Sequence, residues 1–410
     1  MDSVTFLHIA DLHLDSPFSG LANLPSELFK RVQESTFSSF TRLINIAIEK
    51  KVDFVVIAGD LFDGEDRSLR AQSRFRREME RLQEHDIEAF VIHGNHDHLG
   101  GNWPHFEWPS NVHVFQTENV EVIPFSKNGK TLANIYGFSY TKRAVLENKT
   151  ASYEKKEGAP FHIGILHGSK EGESAHSRYA PFLLTELQRK GFDYWALGHI
   201  HKSEILSEHP PIIYPGNIQG RHKKETGEKG GYLVKLTKSR ADYTFLPTAD
   251  LLWENTTIDI SGLASFDQLV DKSLSQLDSL RRENQGLFVT IEYTGTGPLQ
   301  KQLQEHAIKE DLISLLTDQT TGRNFVYVVG ITQPKQHETD KERIKQDSHF
   351  IGDLLENIET YQEFHQALLP LRNHQSYRKL IEHFTGEELE DILRNAESLI
   401  LRELYNAKSR

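Results

Sequence analysis

The chain has 410 residues, of which 37% are hydrophobic and 26% charged, the composition of a globular protein large enough for two or three domains. Its net charge of −12 argues against non-specific coating of nucleic acid, and the absence of cysteine excludes disulfides and thiolate metal sites. No apolar run approaches the roughly 20 residues that span a bilayer and the N-terminus lacks the order of a signal peptide, so we expect a cytoplasmic protein.

Short apolar runs alternate with helical patterns over the first hundred residues. Residues 7–9, 54–58 and 89–92 are typical of buried strands. Between them, residues 26–50 and the Arg-rich residues 67–85 have the periodicity of helices. This alternation predicts a mostly parallel sheet with ligands on the loops outside the strand ends.

The pattern changes after residue 111. Short segments at 112–115, 120–123 and 131–138 are separated by turn residues, so we expect a second, more antiparallel sheet. Strands before His167 and His199, a helix around residues 181–189, and strands near 212–214, 232–236 and 243–245 follow. We therefore expect residues 1–250 to form one α/β domain of two sheets flanked by helices.

Three further regions are predicted. Residues 251–332 should form a small α+β domain, with strands at 256–260, 288–293 and 325–331, a helix at 266–282 and a second helix carrying Leu299, Leu303, Ile308 and Leu312. Residues 333–347 are charged and indicate a linker. Residues 348–410 carry two helical apolar stripes, the second after a capping box at Thr385 and Glu388. Such stripes form either an internal core or a face for a partner helix.

Polar residues that suit metal ligation follow five of the predicted strands. They are Asp11-x-His13, Gly59-Asp60-x-x-Asp63, Gly94-Asn95-His96-Asp97, His167 and Gly198-His199-x-His201. A single Asp-x-His or a lone histidine is weak evidence, because such residues more often lie on the surface or in a hydrogen-bonded core. Five groups in this order, each at the end of a predicted strand, predict a site for a hard or borderline divalent ion.

This ordered set resembles the motifs of the calcineurin-like metallophosphoesterase superfamily. The resemblance implies a four-layer αββα sandwich with a small α+β cap domain and a C-terminal helical tail. It also implies two metal ions roughly 3.5–4 Å apart, with Asp60 as the bridge between them. Asp11, His13 and His201 would bind one ion, and Asn95, His167 and His199 the other. Such mixed ligands suit Mn²⁺, with iron or zinc as alternatives.

The resemblance gives His96 a different role. It leaves His96 facing the substrate, where the ring would stabilise the transition state or protonate the leaving oxygen. Asp97 would fix the tautomer of His96 and raise its pKa. A structural role is the alternative for His96. No role carries over to Asp63, because break-repair nucleases of archaea and eukaryotes often have histidine there, and aspartate matches the bacterial branch.

The remaining sequence narrows the resemblance. Residues 9–15, 58–63 and 214–217, followed by a cap and a helical tail, are similar to SbcD-type DNA-repair nucleases and most of all to their YhaO-type bacterial branch. The resemblance implies a Mn²⁺-dependent exonuclease acting on DNA ends. It further implies a coiled-coil SMC-like ATPase partner bound by residues 348–410, and a homodimer formed through the nuclease domain.

Basic residues near the motif loops are candidate DNA contacts. They are Arg67, Arg70, Arg74, Arg77, Arg221, Lys223 and Lys224. For the first group, the alternative is a solvated helix face that pairs with neighbouring glutamates. Trp103, Phe106 and Trp108 could stack on an unpaired base or pack in the wall of the site.

Two other functions compete with the nuclease. A hydrolase of small phosphoesters or cyclic nucleotides would use the same two metals, but it would not need the residues beyond 250. A non-catalytic scaffold for the ATPase would have lost at least one metal ligand, and every ligand type is present.

Overall fold

The computed structural model describes residues 2–18, 21, 24–63, 68–101, 106–172, 179–317, 322–333 and 396. The chain divides into two units, residues 1–333 and 334–410. All of the second unit except Ala396 lies outside the described residues. The linker at 333–347 and the helical region at 348–410 therefore stay predictions.

Elements of the first unit alternate between strands and helices up to residue 92. They begin with β1 (Ser3–Ile9), α1 (Ser26–Glu49), β2 (Phe54–Ala58), α2 (Leu69–Gln83) and β3 (Glu88–Ile92). Next come β4 (Val112–Val114), β5 (Glu121–Lys127), β6 (Lys130–Gly137), β7 (Phe161–His167), α3 (Leu184–Arg189), β8 (Tyr194–Gly198), β9 (Glu204–Glu208), β10 (Pro211–Tyr214), β11 (Gly230–Thr237) and β12 (Ala241–Pro247). The last are β13 (Leu251–Asp259), α4 (Phe266–Ser279), β14 (Gly286–Thr294), α5 (His306–Leu316) and β15 (Val326–Thr332).

Two six-stranded sheets form the body of this unit. The first has the order β12-β11-β1-β2-β3-β4 and the second β5-β6-β7-β8-β10-β9. Four consecutive strands run parallel in each sheet, β1-β2-β3-β4 in the first and β6-β7-β8-β10 in the second, and the two remaining pairings of each sheet are antiparallel. The expectation that the second sheet is more antiparallel was therefore wrong. Residues 112–115 were also misplaced, because β4 pairs with β3 at the edge of the first sheet.

Alternation along the strands explains how the layers pack. In β2, Phe54, Val56 and Ala58 face the core between the two sheets, whereas Val55 and Ile57 face the core beneath α1 and α2. Burial on both faces is the reason that these strands are continuously apolar. The outer face of the second sheet packs on α3 and on Tyr153. Helices thus flank two stacked sheets, which confirms the predicted α/β sandwich.

Strands β13, β14 and β15 form a separate parallel sheet, which packs against α4 and α5 around its own apolar core. Its joint to the body is formed by α1. There Arg31 and Arg42 reach the carboxylate of Asp250 at 2.8 and 2.5 Å. Leu28 packs beside Trp253 in a smaller apolar cluster. Among the described residues, no helix is both long and apolar enough to cross a membrane.

Candidate metal centre

The metal motifs of both sheets meet at one edge. Because β1, β2, β3, β7 and β8 lie in parallel pairs, their carboxyl ends reach the same side of each sheet. Backbone hydrogen bonds join the loops that follow: the amides of Asp11 and His13 donate to the carbonyls of Gly59 and Asp60, both at 3.1 Å. The strand ends therefore bring five distant sequence motifs together.

Several of these loops have an unfavourable backbone conformation. The φ angles of Asp11, His13, Asp60 and His199 are 50°, 41°, 50° and 102°. Positive φ is uncommon outside glycine and costs of order 1–3 kcal/mol for each residue. Such strain persists only where the surrounding structure holds it, and it is concentrated here on the residues that carry the candidate ligands.

Glycines allow the ligands to approach one another. A Cβ on Gly94 would overlap Oδ1 of Asp60 and Nε2 of His167. Gly59 has a φ of 94°, and a Cβ there would overlap the His167 ring. The glycines of the Gly-Asp and Gly-Asn-His-Asp motifs are therefore needed for close packing around Asp60 and His167.

Asp11, His13 and His201, here called the first ligand group, present ligand atoms that lie within 4.8 Å of one another. The Nε2 atoms of the two imidazoles are 3.1 Å apart. Two ligands at right angles around one ion, with bonds of about 2.1 Å, would be about 3.0 Å apart. The spacing therefore suits a single ion between these rings.

Asn95, His167 and His199, here called the second ligand group, lie beside the first. Oδ1 of Asn95 is 3.0 Å from Nε2 of His167, and the rings of His167 and His199 have centroids 5.3 Å apart. Oδ2 of Asp60 is 3.5 Å from Nε2 of His167 and 3.8 Å from Nε2 of His13. Asp60 thus lies between the two ligand groups.

Hydrogen bonds at Nδ1 orient the Nε2 lone pairs of His167 and His201 toward lone pairs of neighbouring candidate ligands. Nδ1–H of His167 donates to the carbonyl of Ala58 at 2.9 Å, which leaves Nε2 as a lone pair facing oxygens of Asn95 and Asp60. Nδ1–H of His201 donates to Glu225 at 2.6 Å, which leaves its Nε2 facing Nε2 of His13. Facing lone pairs repel unless a cation lies between them, so the donor set fits divalent metal ions.

Burial favours the neutral imidazole of His13 and of His201. It lowers the pKa of His13 to about 3 and also lowers that of His201, so a proton does not occupy the space between the rings at neutral pH. Burial and the neighbouring Asp60 raise the pKa of Asp11, whereas nearby histidines lower that of Asp60 in spite of its burial. Two adjacent buried carboxylates are costly without a compensating cation, which again fits a metal centre.

His96 lies at the outer side of the cluster, with 38% of its side chain exposed. Its amide donates to Oδ1 of Asp60, and its Nδ1 is 3.2 Å from Oδ1 of Asp63. Burial disfavours the charged ring, but the carboxylates of Asp60 and Asp63 outweigh it and raise the pKa of His96. His96 is thus the outward-facing, more basic imidazole of the site.

The predicted pairing of His96 with Asp97 was wrong. The carboxylate of Asp97 is buried and accepts from Nδ1 of His93 at 2.9 Å, from the amide of Gly94 at 2.8 Å and from the amide of Leu61 at 2.9 Å. Asp97 therefore ties together the loops after β2 and β3, and Asp63 contacts the His96 ring in its place. The sequence motif does not show whether Asp63 or Asp97 contacts the His96 ring, because the direction of each side chain depends on the conformation of its loop in the folded protein.

The structure places the candidate DNA contacts in different surroundings. Arg70 pairs with Asp15 and Glu34, and Arg74 shares Glu34. Arg77, Lys223 and Lys224 are exposed. The guanidinium of Arg221 is largely buried, with 13% of the side chain exposed, and donates to Asp63 at 3.0 Å, so it lies within the cluster. Arg67 and Trp103 lie outside the described residues.

Sequence reasoning missed two residues that support the cluster. Glu225 is buried and accepts from His201, and Lys229 is buried and donates to the carbonyl of His201 at 2.8 Å. Both lie on the segment between β10 and β11, more than twenty residues after the Gly-His-x-His motif. No local pattern marks them, since their role depends on that segment folding back. Trp108, one of the candidate stacking residues, packs edge-on against Phe75.

Two stacked α/β sheets, with Asp, His and Asn ligands converging where the parallel strands end, define a metal-dependent hydrolase of the phosphoesterase class. The profile of the calcineurin-like phosphoesterases matches residues 4–203, and that of the YhaO metallophosphoesterase middle domain matches residues 253–328. The chain belongs to the calcineurin-like metallophosphoesterase family.

Relatives extend this likeness over the whole chain. The uncharacterized metallophosphoesterase YhaO of Bacillus subtilis strain 168 is 40% identical over 406 residues, which is 98% of this chain and 98% of that protein. The DNA double-strand break repair protein Mre11 of Sulfolobus acidocaldarius is 24% identical, covering 72% of this chain and 76% of its own length. Mre11 of Methanocaldococcus jannaschii is 25% identical, covering 65% and 72%.

Proposed function

We propose that this protein is a Mn²⁺-dependent DNA nuclease that hydrolyses phosphodiester bonds at DNA ends during repair. The observation that carries the proposal is the cluster itself: two ligand groups on either side of Asp60, with the imidazole of His96 at the solvent side. Likeness to relatives named for DNA double-strand break repair supports DNA as the substrate.

In this proposal the first ligand group holds one ion, the second holds another, and Asp60 bridges them. When bound, the ions would stabilise charge on the phosphate and acidify the attacking water. Neutral Asn95 and the imidazoles limit the negative charge of the ligands, so a phosphodiester is not repelled. The donor set suits Mn²⁺, while iron and zinc remain compatible with it.

We assign the contact with the substrate to His96. A raised pKa favours the protonated ring, and the outward position allows Nε2 to donate that proton to the leaving oxygen of the scissile phosphate. Asp63 orients the ring through Nδ1, at 3.2 Å. Asp97 acts indirectly, by holding the loop that carries Asn95 and His96.

The regions beyond the metal domain favour a macromolecular substrate. We propose domains at residues 1–250 and 251–332, a linker at 333–347 and an ATPase-binding helical region at 348–410. The profile match at 253–328 and the separate core of the three-stranded sheet support the second of these domains. Partners would be DNA, a coiled-coil SMC-like ATPase and a second copy of this chain.

A direct assay separates the nuclease from its rivals. The purified protein with Mn²⁺ is incubated with linear DNA and, separately, with a chromogenic phosphodiester. We expect both to be cleaved. Cleavage of the small ester alone, with and without an ATPase partner, would establish a small-molecule phosphoesterase. Failure to cleave either substrate in spite of bound metal would favour a non-catalytic scaffold.

The partner is tested by affinity purification of the full chain from its native cell. A coiled-coil ATPase should co-purify with the full chain and should be lost when residues 341–410 are deleted. Retention of that ATPase by the shortened chain would contradict the assignment of residues 348–410.

A further inference from the structure

One of the candidate DNA contacts, Arg221, points inward in the folded chain. Its Nε atom is buried, and only 13% of the side chain is exposed. Nη1 donates to Oδ2 of Asp63 at 3.0 Å and to the hydroxyl of Ser16 at 3.1 Å. That hydroxyl in turn donates to the same oxygen of Asp63 at 2.6 Å. The guanidinium therefore belongs to a closed set of three side chains.

The two oxygens of Asp63 have different partners. Oδ2 accepts from Arg221 and Ser16, whereas Oδ1 lies 3.2 Å from Nδ1 of His96 and 3.3 Å from Nδ1 of His13. Hydrogen bonds between charged groups are roughly twice as strong as neutral ones, so the guanidinium restrains rotation of the carboxylate. A carboxylate that is fixed at Oδ2 also has a fixed Oδ1. Arg221 thus determines where Oδ1 lies relative to the His96 ring.

The backbone on both sides of this guanidinium is held independently of it. The amide of Arg221 donates to Oε2 of Glu225 at 2.6 Å, and the carbonyl of Gly220 accepts from Nε1 of Trp253 at 3.0 Å. A substitution of the Arg221 side chain leaves these bonds in place, because they belong to backbone atoms. The contact of Glu225 with His201 therefore does not depend on the guanidinium.

We propose that Arg221 is a positioning residue, which holds the His96 ring at the leaving oxygen through Asp63 and does not bind a DNA phosphate. The inference rests on the proposed function, because it needs His96 as the proton donor. In that step the bond between phosphorus and the leaving oxygen breaks, and this oxygen takes the proton from Nε2 of His96. Loss of the guanidinium should therefore slow the reaction most where the leaving oxygen needs a proton.

The test compares two leaving groups, using the full chain saturated with Mn²⁺. Linear DNA releases a sugar hydroxyl, which needs a proton, whereas a nitrophenyl phosphodiester releases a phenolate that is stable without one. Arg221→Met removes the guanidinium and keeps the apolar part of the side chain. It should lower kcat on DNA by about 100-fold, the typical cost of a misplaced catalytic group, and leave KM unchanged. The loss on the nitrophenyl ester should be much smaller, and bound Mn²⁺ should stay at the wild-type amount.

A double mutant shows whether Arg221 acts through His96. His96→Ala already lacks the ring, so adding Arg221→Met to it should cost less than about twofold more on DNA. Independent contributions would instead multiply. Ser16→Ala removes the other hydrogen bond to Oδ2 of Asp63 and should give a smaller loss with the same dependence on His96. This second variant carries the test if Arg221→Met does not fold.

DNA binding distinguishes a positioning residue from a phosphate contact. Removal of a phosphate contact would weaken DNA binding and reduce the slope of log affinity against log salt by about 1. We expect Arg221→Met to change neither quantity. Lys127→Met is the matched control, because it removes a cation from the largely buried carboxylate of Asp53. Asp53 precedes β2, whereas the ligands follow β2, so this control should keep wild-type cleavage of both substrates.

Several results would overturn the role of Arg221. They are an equal loss on both substrates, full activity on DNA, lost Mn²⁺, weakened DNA binding with a shallower salt slope, or a multiplied loss in the double mutant. Thermal melts establish that each variant is folded. Unchanged activity of His96→Ala, or no cleavage of either substrate by the wild-type chain, would instead overturn the proposed function on which this role rests.

Discussion

Two regions of the molecule differ in what their residues contribute to stability. One is the edge where the candidate metal ligands lie, and the other is the three-stranded sheet. At the ligand edge, Asp11, His13 and Asp60 are buried, charged or polar, and held at positive φ. In the three-stranded unit the core is apolar, and its one described non-glycine residue at positive φ is Asn284, in the turn before β14. The comparison shows that the apolar cores stabilise the fold, whereas the ligand edge costs stability that bound metal would offset.

The largest expected effect on the ligand edge comes from Asp60→Asn. Loss of the shared carboxylate should prevent binding of both ions and lower phosphodiesterase activity by at least about 10⁴-fold. Without metal, however, Asp11→Asn should be at least as stable as the wild-type chain, because burial and the neighbouring Asp60 disfavour the charged form of Asp11 and raise its pKa. Metal analysis and thermal melts of the metal-free proteins would check this. A clearly destabilised metal-free Asp11→Asn variant would contradict the proposed cost of the ligand edge.

His96→Ala separates chemistry from metal binding within the same edge. We expect activity to fall by about 10²- to 10³-fold while both ions remain bound, since general-acid catalysis typically contributes on this scale. His306→Ala is a matched control, because its side chain is 86% exposed on α5. Activity that survives in His96→Ala would remove the catalytic assignment.

Leu287→Ala tests whether the three-stranded sheet contributes to stability independently of the ligand edge. Leu287 is fully buried in the core of that unit, and its truncation should reduce the free energy of unfolding by about 2–5 kcal/mol. Metal affinity should stay at the wild-type value, because the ligand edge belongs to the other two sheets. Urea unfolding and a Mn²⁺ titration measure the two quantities. Loss of metal binding in a chain that is still folded would show that the two regions are not independent.

The smallest effect is expected from Arg77→Ala, on the exposed face of α2. If Arg77 contacts a DNA phosphate, its removal should weaken binding similarly for all sequences and reduce the slope of log affinity against log salt by about 1. Arg240→Ala is the control, because Arg240 is exposed in the hairpin between β11 and β12. That hairpin lies near the start of β1, whereas the candidate metal ligands follow the end of β1. Equal effects of the two changes would argue against a specific DNA face on α2.

Local patterns predicted most elements of the first unit. Residues 26–50 and 67–85 were predicted as helices, and α1 and α2 lie there, because an apolar stripe of period 3.6 is set by neighbouring residues. Buried strands at 54–58 and 89–92 were also predicted, because short continuous apolar runs are typical of strands buried on both faces. Residues 112–115 went to the wrong sheet, because strand partners are chosen by long-range pairing that a short segment does not encode.

The sequence alone determined where the candidate ligands lie: each follows an apolar strand, and a parallel sheet brings such strand ends to one edge. Tertiary structure decided which carboxylate faces which imidazole. Asp97 turned to His93, Asp63 to His13 and His96, and Glu225 reached His201 from a later loop. These pairings depend on loop conformation and on contacts between distant segments, so they exist only once the two sheets have packed.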